Sequence, residues 1–448
     1  MAVATNRRLA AGLTADPAAL ADAFAVSMAR LGPLPTPPHL AVAVSGGADS
    51  LALALLADAW ARERGGRVAG LIVDHGLRAA SAVEAAATQA RLSARGIAAE
   101  ILVLDDLAQG PGLAARARAA RYRVLAQACR RLGLAHLLLG HHAADQAETV
   151  LIRALGGSGP AGLAAMPARA EANGADTAGL CLLRPLLGIA PARLRDFLRD
   201  LGEAWVEDPS NADRRALRPR LRALRADPAG TGSATRALVA AARQAGLARA
   251  AAEAAREALL AARAMLFAEG YAVLSPGPLP ADALAALLAT IGGGAFAPAP
   301  AAVARLAAAP GPATLAGVRL LPAGRIGPGW LLVREVAALA PPVLTRAGAH
   351  WDGRFRLPDM TFPDGVTLGA LGPGAGLRRL SAGCPRARAL PAAVLATLPA
   401  YRGGNGTLLA VPHLDWAVPG GMSKGFSWPK PNFAPAHRLT GTGFLPAL

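Results

Sequence analysis

VSGGADS, Val44–Ser50, is the stretch on which the rest of the chain turns. Upstream lies LAVAV (Leu40–Val44), a short apolar run that predicts a buried strand, and downstream LALALLADAW (Leu51–Trp60) predicts a helix. A glycine turn that joins a strand to a helix N-terminus is suited to bind an oxyanion. Glycines let the backbone approach closely, several N–H groups converge, and the helix dipole favours negative charge. The same seven residues would also serve as an ordinary strand-to-helix turn in an α/β domain, so the flanking sequence has to choose.

Working outward, strand and helix patterns alternate. RVAGLIVDHG (Arg67–Gly76), AAEILVL (Ala98–Leu104) and AHLLLGHH (Ala135–His142) read as strands. Helical patterns fill the gaps, running to Arg64 and then over residues 80–95, 113–132 and 143–155. Such alternation implies βαβ units and a parallel sheet, whose ligands bind beyond the carboxyl ends of the strands near the switch in strand order. Three polar stretches fall at such ends: SGGADS (45–50), VDHGLR (73–78) and GHHAADQAET (140–149). Before them, residues 1–36 predict an N-terminal helical extension closed by the Pro-rich GPLPTPPH. After them come a flexible loop, GGSGPAGLAAMPA, a stretch around 170–178 with a disordered composition, and a helix over 191–201. Residues 233–266 predict one long Ala/Arg helical region, and beyond about 270 a Gly/Pro-rich sequence predicts a small C-terminal α+β domain.

The 448 residues suffice for two or three domains, and aromatics are only 4%, so small side chains must do much of the packing. No apolar run of membrane-spanning length lacks a charge or proline, which predicts no membrane span. Cys129, Cys181 and Cys384 are far apart with no CxxC, so no zinc or iron–sulfur site is legible and a reducing cytoplasm is expected. The net charge of +17 points to a polyanionic partner, nucleic acid being the usual one. Only Lys424 and Lys430 are lysines; that preference for arginine reads as a GC-rich coding bias, which does not explain the excess of 47 basic over 30 acidic residues. No protein partner is evident.

In GHHAADQAETV (Gly140–Val150), a helix from Ala143 puts Asp145, Glu148 and Thr149 three and four apart on one face, with His141 and His142 at its mouth. Two carboxylates and an imidazole at a strand's carboxyl end suit magnesium, an amine or a proton transfer. Asp74 and His75 end the second strand, where an acidic residue meets a ribose or base edge or simply caps a turn. Arg118 and Arg121 share a helix face in ARARAARYRVL and could hold phosphate. Residues 214–225 contain six arginines, of which Arg215, Arg218, Arg222 and Arg225 fall on one helical face, a pattern that grips a sugar–phosphate backbone.

With these pieces in order, the chain resembles the tRNA(Ile)-lysidine synthase family of the PP-loop ATP pyrophosphatase superfamily. SGGADS is similar to the PP-loop; VDHGLR, GHHAADQAETVLIRALGGSGPAGLAAM, LLRPLL and WVEDPSNAD follow in the family's order, from about Leu40 to Arg222. The GHHAADQAET block joined to EDPSN is far more specific than the loop alone. Ala216 and Pro219 stand where the family has an aromatic ahead of its arginines, and Ala114 where a glutamate is expected. The C-terminal half is similar only in LRRL and LLAVPHLDW.

The resemblance implies a Rossmann-like parallel-sheet PP-loop catalytic domain over 37–225, a helical tRNA-contacting domain over 226–300 and a C-terminal tRNA-binding domain over 301–448. It implies ATP held by Ser45, Gly46, Gly47, Ala48, Asp49 and Ser50, with Asp74 beside the nucleotide and Asp49 on Mg2+. The wobble cytidine of a tRNA(Ile) with a CAU anticodon would be adenylated at O2. The ε-amine of free L-lysine would then displace AMP at C2, giving lysidine and changing the codon read from AUG to AUA. Asp145 and Glu148 would hold lysine, His142 would relay a proton, and Arg118 would sit near the phosphates or the activated base. Arg215, Arg218, Arg220 and Arg222 would contact tRNA. The alternatives are another PP-loop tRNA-modifying enzyme, such as a tRNA thiolase, or a non-catalytic RNA-binding protein.

Overall fold

In the computed structural model the described residues are 17–448 except 77–79, 105–109, 111, 173–176, 178, 208–216, 295–297, 375–379, 381–382, 419–425, 437–438, 440–442 and 448. The chain divides into two compact units, one comprising residues 1–253 and 442–448, the other 254–441.

The first unit is built on one six-stranded sheet. Its strands are β1 (His39–Val44), β2 (Arg67–Asp74), β3 (Ala98–Val103), β4 (His136–Leu138), β5 (Arg169–Glu171) and β6 (Cys181–Leu183), in the order β3-β2-β1-β4-β6-β5. All neighbours are parallel except β5, which pairs antiparallel with β6 at the edge. β5 overlaps only the start of the stretch whose composition suggested disorder, where β6 offers it an open edge; residues 173–176 and 178 of that stretch lie outside the described residues. Helices α1 (Pro17–Arg30), α2 (Ala48–Arg62), α3 (Ser81–Ala94) and α4 (Leu113–Arg131) belong to the same unit. So do α5 (Ala143–Leu155), α6 (Pro160–Leu163), α7 (Pro191–Asp200) and α8 (Leu217–Arg225). The strands of a parallel sheet are covered on both faces and therefore read as continuous apolar runs, and Leu40–Val44 is buried throughout. Ala52, Ala54, Ala57 and Ala61 of α2 are wholly buried, and such small side chains let a helix lie close to a sheet.

The strand order reverses direction at β1, with β2 on one side and β4 on the other. That is the switch point at which a crevice opens beyond the carboxyl ends. The turns that follow β1 and β4 are SGGADS and GHHAAD.

Residues 443–447 are part of this unit. Ala168 N–H donates to the Leu445 carbonyl at 2.8 Å and Phe444 N–H donates to Glu253 at 2.7 Å. The Arg249 guanidinium stacks on the Phe444 ring at 4.5 Å, and Ala447 is buried.

The long helix α9 (Ser233–Arg263) runs through the division at 253. Helix was expected to 266, but residues 264–267 form strand β7 (Ala264–Phe267), which pairs with β8 (Tyr271–Leu274) across a turn at Gly270. The bounds expected at 225 and 300 do not coincide with the division, since β7 and β8 join β9 (Ala313–Leu315), β10 (Val318–Pro322) and β11 (Trp330–Arg334) in one sheet. Helices α10 (Ala281–Gly292) and α11 (Pro300–Ala308) belong to this second unit with it, along with two further small antiparallel sheets between residues 343 and 433. Its polar centre is Asp352, which accepts from both Arg334 and the fully buried Arg354.

Candidate active site at the carboxyl edge of the parallel sheet

The turn after β1 is held by its own hydroxyls. Ser50 Oγ donates to the Gly47 carbonyl at 3.0 Å and accepts from Ser45 N–H at 3.1 Å, with the Ser45 hydroxyl also 3.1 Å away. Gly46 has φ +82°, and a Cβ there would lie 2.5 Å from Thr88 Oγ1, so only glycine fits. The Gly46 carbonyl accepts from Val206 N–H at 2.9 Å, which brings Val206 against the loop. Gly47 caps α2 with extended backbone and no side-chain hydrogen bond. The first N–H groups of α2 are thus left without a side-chain cap, which is what an external anion requires.

The turn after β4 lies against the first. A Cβ on Gly140 would come within 3.2 Å of the Ser50 backbone, so the close approach of the two turns depends on that glycine. His142 is the N-cap of α5: its Nδ1 accepts from Asp145 N–H at 3.4 Å, and its own N–H donates to Asp145 Oδ2 at 3.1 Å. His142 Nε2 lies 3.4 Å from Asp49 Oδ2 and 3.6 Å from Asp145 Oδ2. Burial would lower the pKa of His142, but the carboxylates of Asp145 and Asp49 outweigh it and hold it above the ordinary imidazole value. Asp145 is the reciprocal case, since burial opposes ionisation while His142, His141 and Arg222 hold the carboxyl below its usual range. Glu148, one turn further on, is 0% exposed.

Arg222 of α8 completes the cluster. Its Nε donates to Glu148 Oε1 at 2.6 Å, and its Nη2 lies 3.4 Å from Glu148 Oε2 and 3.5 Å from Asp145 Oδ1. This residue was expected on an RNA-facing surface; the structure places it on the carboxylates, because Leu221 is buried and turns this side of α8 toward α5. Arg225 likewise points inward, donating to the Ala144 carbonyl at 3.2 Å. Arg218 and Arg220 are exposed, while Arg215 and Ala216 lie outside the described residues.

On the other side of His142, His141 faces arginines. Burial lowers its pKa to about 4, and Arg184, Arg118 and Arg121 add to the effect while Asp145 opposes it. The Arg118 guanidinium is 5.2 Å from the Tyr122 ring centroid, and Arg184 donates to the Pro167 carbonyl at 2.9 Å. Arg184, 8% exposed, was not singled out from the sequence, although an arginine inside the apolar run LLRPLL was the available signal. Asp74 caps its own turn: Oδ1 accepts from Gly76 N–H at 2.9 Å and from the Ser81 hydroxyl at 2.6 Å. These bonds, Ser81 foremost, hold its carboxyl below the usual range.

Asp49 Oδ1 is buried and without a hydrogen-bond partner, whereas the residue as a whole keeps 34% of its side chain exposed. An orphaned carboxylate oxygen at an anion-binding turn fits a magnesium ion carried in on phosphates, since such ions take one or two carboxylates and leave other positions to phosphate and water. Among the described residues no group of three His, Cys, Asp or Glu side chains forms a dedicated metal cage. No described helix is long and apolar enough to cross a membrane.

Comparison with known proteins gives the family. A protein-family profile described as a PP-loop domain matches residues 21–225. A tRNA(Ile)-lysidine synthase from Ruegeria pomeroyi is 37% identical over 390 residues, covering 84% of this chain and 88% of the relative. The chain belongs to the tRNA(Ile)-lysidine synthase family. Another member, from Mesorhizobium japonicum, is 38% identical over 365 residues, 77% of either chain. The tRNA(Ile)-lysidine synthase of Rhodopseudomonas palustris is 44% identical over 218 residues; the match spans 48% of this chain and 62% of that relative's length.

Proposed function

We propose that this protein is a carbon–nitrogen ligase that uses ATP to join free L-lysine to C2 of the wobble cytidine of a tRNA(Ile) bearing a CAU anticodon. The observation that supports it most is the pairing of two unlike sites across one 3.4 Å contact between His142 and Asp49. One is a glycine turn with uncapped N–H groups, suited to the phosphates of ATP; the other is a buried carboxylate pair, suited to an amine.

In this reading Ser45 to Ser50 receive the pyrophosphate portion of ATP. Asp49 would hold Mg2+, which when bound supplies positive charge against the phosphates. The cytidine O2 attacks the α-phosphate and pyrophosphate leaves, so a carbonyl oxygen becomes a good leaving group. The lysine ε-amine then forms the bond to C2 as AMP departs with the C2–O2 electron pair. Lysine arrives as an ammonium, with an ordinary pKa near 10.4, and must lose a proton before it attacks. Asp145 and Glu148 supply charge to hold it and an acceptor for that proton. In its neutral form His142 accepts a backbone N–H at Nδ1, so the remaining proton then sits on Nε2, toward Asp49. Arg118 with Arg121 and Arg184 provides the cationic flank for the phosphate or the activated base. Arg218 and Arg220, with Arg215, contact tRNA phosphates, as do residues of the 226–300 and 301–448 regions. The base lies in a single-stranded loop, where it can be splayed out and read. The cytoplasm is the matching compartment.

Thiolation instead of lysine transfer would call for a reactive sulfur. All three cysteines are buried, and burial pushes the Cys129 thiol up to about 11 and raises that of Cys181, which disfavours a reactive thiolate at either. Incubation with tRNA(Ile), ATP and each amino acid in turn, followed by mass spectrometry of digested nucleosides, tests the proposal. A lysine-sized mass increase on cytidine is expected with lysine only; sulfur incorporation, or no change with any amino acid, would overturn it.

A further inference from the structure

The carboxylate pair assigned to the amine is already occupied by a cation of the protein itself. Glu148 is 0% exposed and lies beneath Arg222, whose side chain is 39% exposed, so the guanidinium stands between the buried acid and the solvent. Its contacts at 2.6 and 3.4 Å to Glu148 and 3.5 Å to Asp145 use both acids. A fork contact of this kind matches carboxylate geometry closely. An incoming ammonium needs the same oxygens, and two cations cannot share them at contact distance without repulsion. Arg222 lies on α8, whose exposed Arg218 is one turn away on the same side and whose Arg220 is also exposed. Phosphodiesters drawn to those side chains offer Arg222 a second anion in place of its acids.

We propose that Arg222 is an internal stand-in for the amino-acid substrate, which closes the ammonium site in the free protein and gives it up to RNA phosphate. Amino-acid binding is then coupled to RNA binding, and free lysine binds more tightly once the tRNA is in place. This rests on Asp145 and Glu148 being the lysine site. Because the exchange swaps one ion pair for another, its cost is moderate, and a coupling of at least about five-fold is expected.

Equilibrium dialysis of radiolabelled L-lysine against the full chain, with and without a tRNA(Ile) transcript and without ATP, tests it. In the wild type, tRNA should tighten lysine binding at least about five-fold. Arg222→Gln should bind lysine without tRNA as tightly as the wild type does with it, and added tRNA should change this less than about two-fold. Lysine binding by tRNA-free Arg222→Gln that is no tighter than the wild type overturns the inference. If melting shows that Arg222→Gln does not fold, Arg222→Lys serves, because a point charge holds the pair less well than the fork. Its tRNA-free lysine affinity should rise, and an unchanged affinity overturns the inference equally. If wild type saturated with tRNA binds no lysine at all, the lysine reading itself fails and the inference falls with it. Lysine bound equally well with and without tRNA by the wild type defeats the inference alone.

Discussion

The two turns at the switch point solve the same structural problem in opposite ways. Each ends a strand of the sheet and starts a helix, so each has several N–H groups to satisfy. After β1 the turn's own hydrogen bonds are made by neutral hydroxyls, its one carboxylate, Asp49, does not cap the helix, and no side chain caps α2. After β4 the chain closes the helix with its own charges, His142 and Asp145 in a reciprocal box, while Ala143 N–H donates to the Ile189 carbonyl. The first turn is therefore open to an anion from outside. The second keeps its N–H groups to itself and presents surplus carboxylate, which calls for a cation. A sheet that sets both turns side by side can hold a phosphate and an amine a few ångströms apart.

The largest expected effect attacks the open turn. Asp49→Ala should reduce tRNA-dependent ATP–pyrophosphate exchange by at least about 100-fold while leaving tRNA affinity nearly intact, because the proposal puts nucleotide and metal, not the RNA backbone, at this loop. Normal exchange would remove the distinction between the turns. Asp145→Asn attacks the closed turn. Asparagine preserves the cap acceptor but not the charge, so the apparent KM for lysine should rise about ten-fold or more, with pyrophosphate release much less affected. Loss of pyrophosphate release with normal lysine binding would move Asp145 to the nucleotide side. Gly46→Ala, facing both a positive φ and Thr88, should lower stability by about 1–3 kcal/mol in thermal melts.

The charges of the closed turn also set a pH dependence. His141, held near 4 in the fold, is bound to fewer protons there than in the unfolded chain between about pH 4 and 6.5. Stability therefore falls as pH drops through that window. His142, held above its ordinary value, contributes stability that is complete below that value and is lost as pH rises through the folded pKa. His413, also near 4, adds to the acid limb. Melting temperature against pH should accordingly peak near neutrality, and His141→Asn should flatten the acid limb without moving the alkaline one. The smallest effect concerns α8, where replacing Arg218 and Arg220 should reduce the salt slope of tRNA binding by about one unit for each phosphate that is no longer neutralised. An unchanged slope would make them a merely solvated face.

Much of this architecture is legible in the sequence itself. The strand–turn–helix units around Val44–Ser50 and Gly140–Thr149 are local, written in apolar runs and glycines a few residues apart. The same periodicity can group Arg218, Arg222 and Arg225 on one helical face, yet it cannot say what that face meets. Arg222 and Glu148 are 74 residues apart, and their pairing depends on how α8 lies on α5. Arg184 is hidden for a similar reason, since its neighbours Tyr122 and Pro167 come from other elements. Strand β7 escapes the pattern because AMLF follows a long alanine helix with no breaker, and only its partner beyond Gly270 makes it a strand. For Asp74 the sequence leaves a ligand and a turn cap open, and the structure shows the cap.

The stitching of residues 443–447 onto Ala168 and Glu253 has a consequence for biogenesis. Phe444 is 191 residues from the glutamate it binds, and the whole second unit is encoded in between. Synthesis proceeds from the N-terminus, and contacts of such long range are the slowest to form. The parallel sheet and its glycine turn can assemble early on the ribosome, but Ala168 N–H and Glu253 lack these partners until the codons for 443–447 have been translated. Completion of the first unit thus waits on a distant stretch of the message, and ribosome-stalled chains ending before residue 443 should be more protease-sensitive around Ala168.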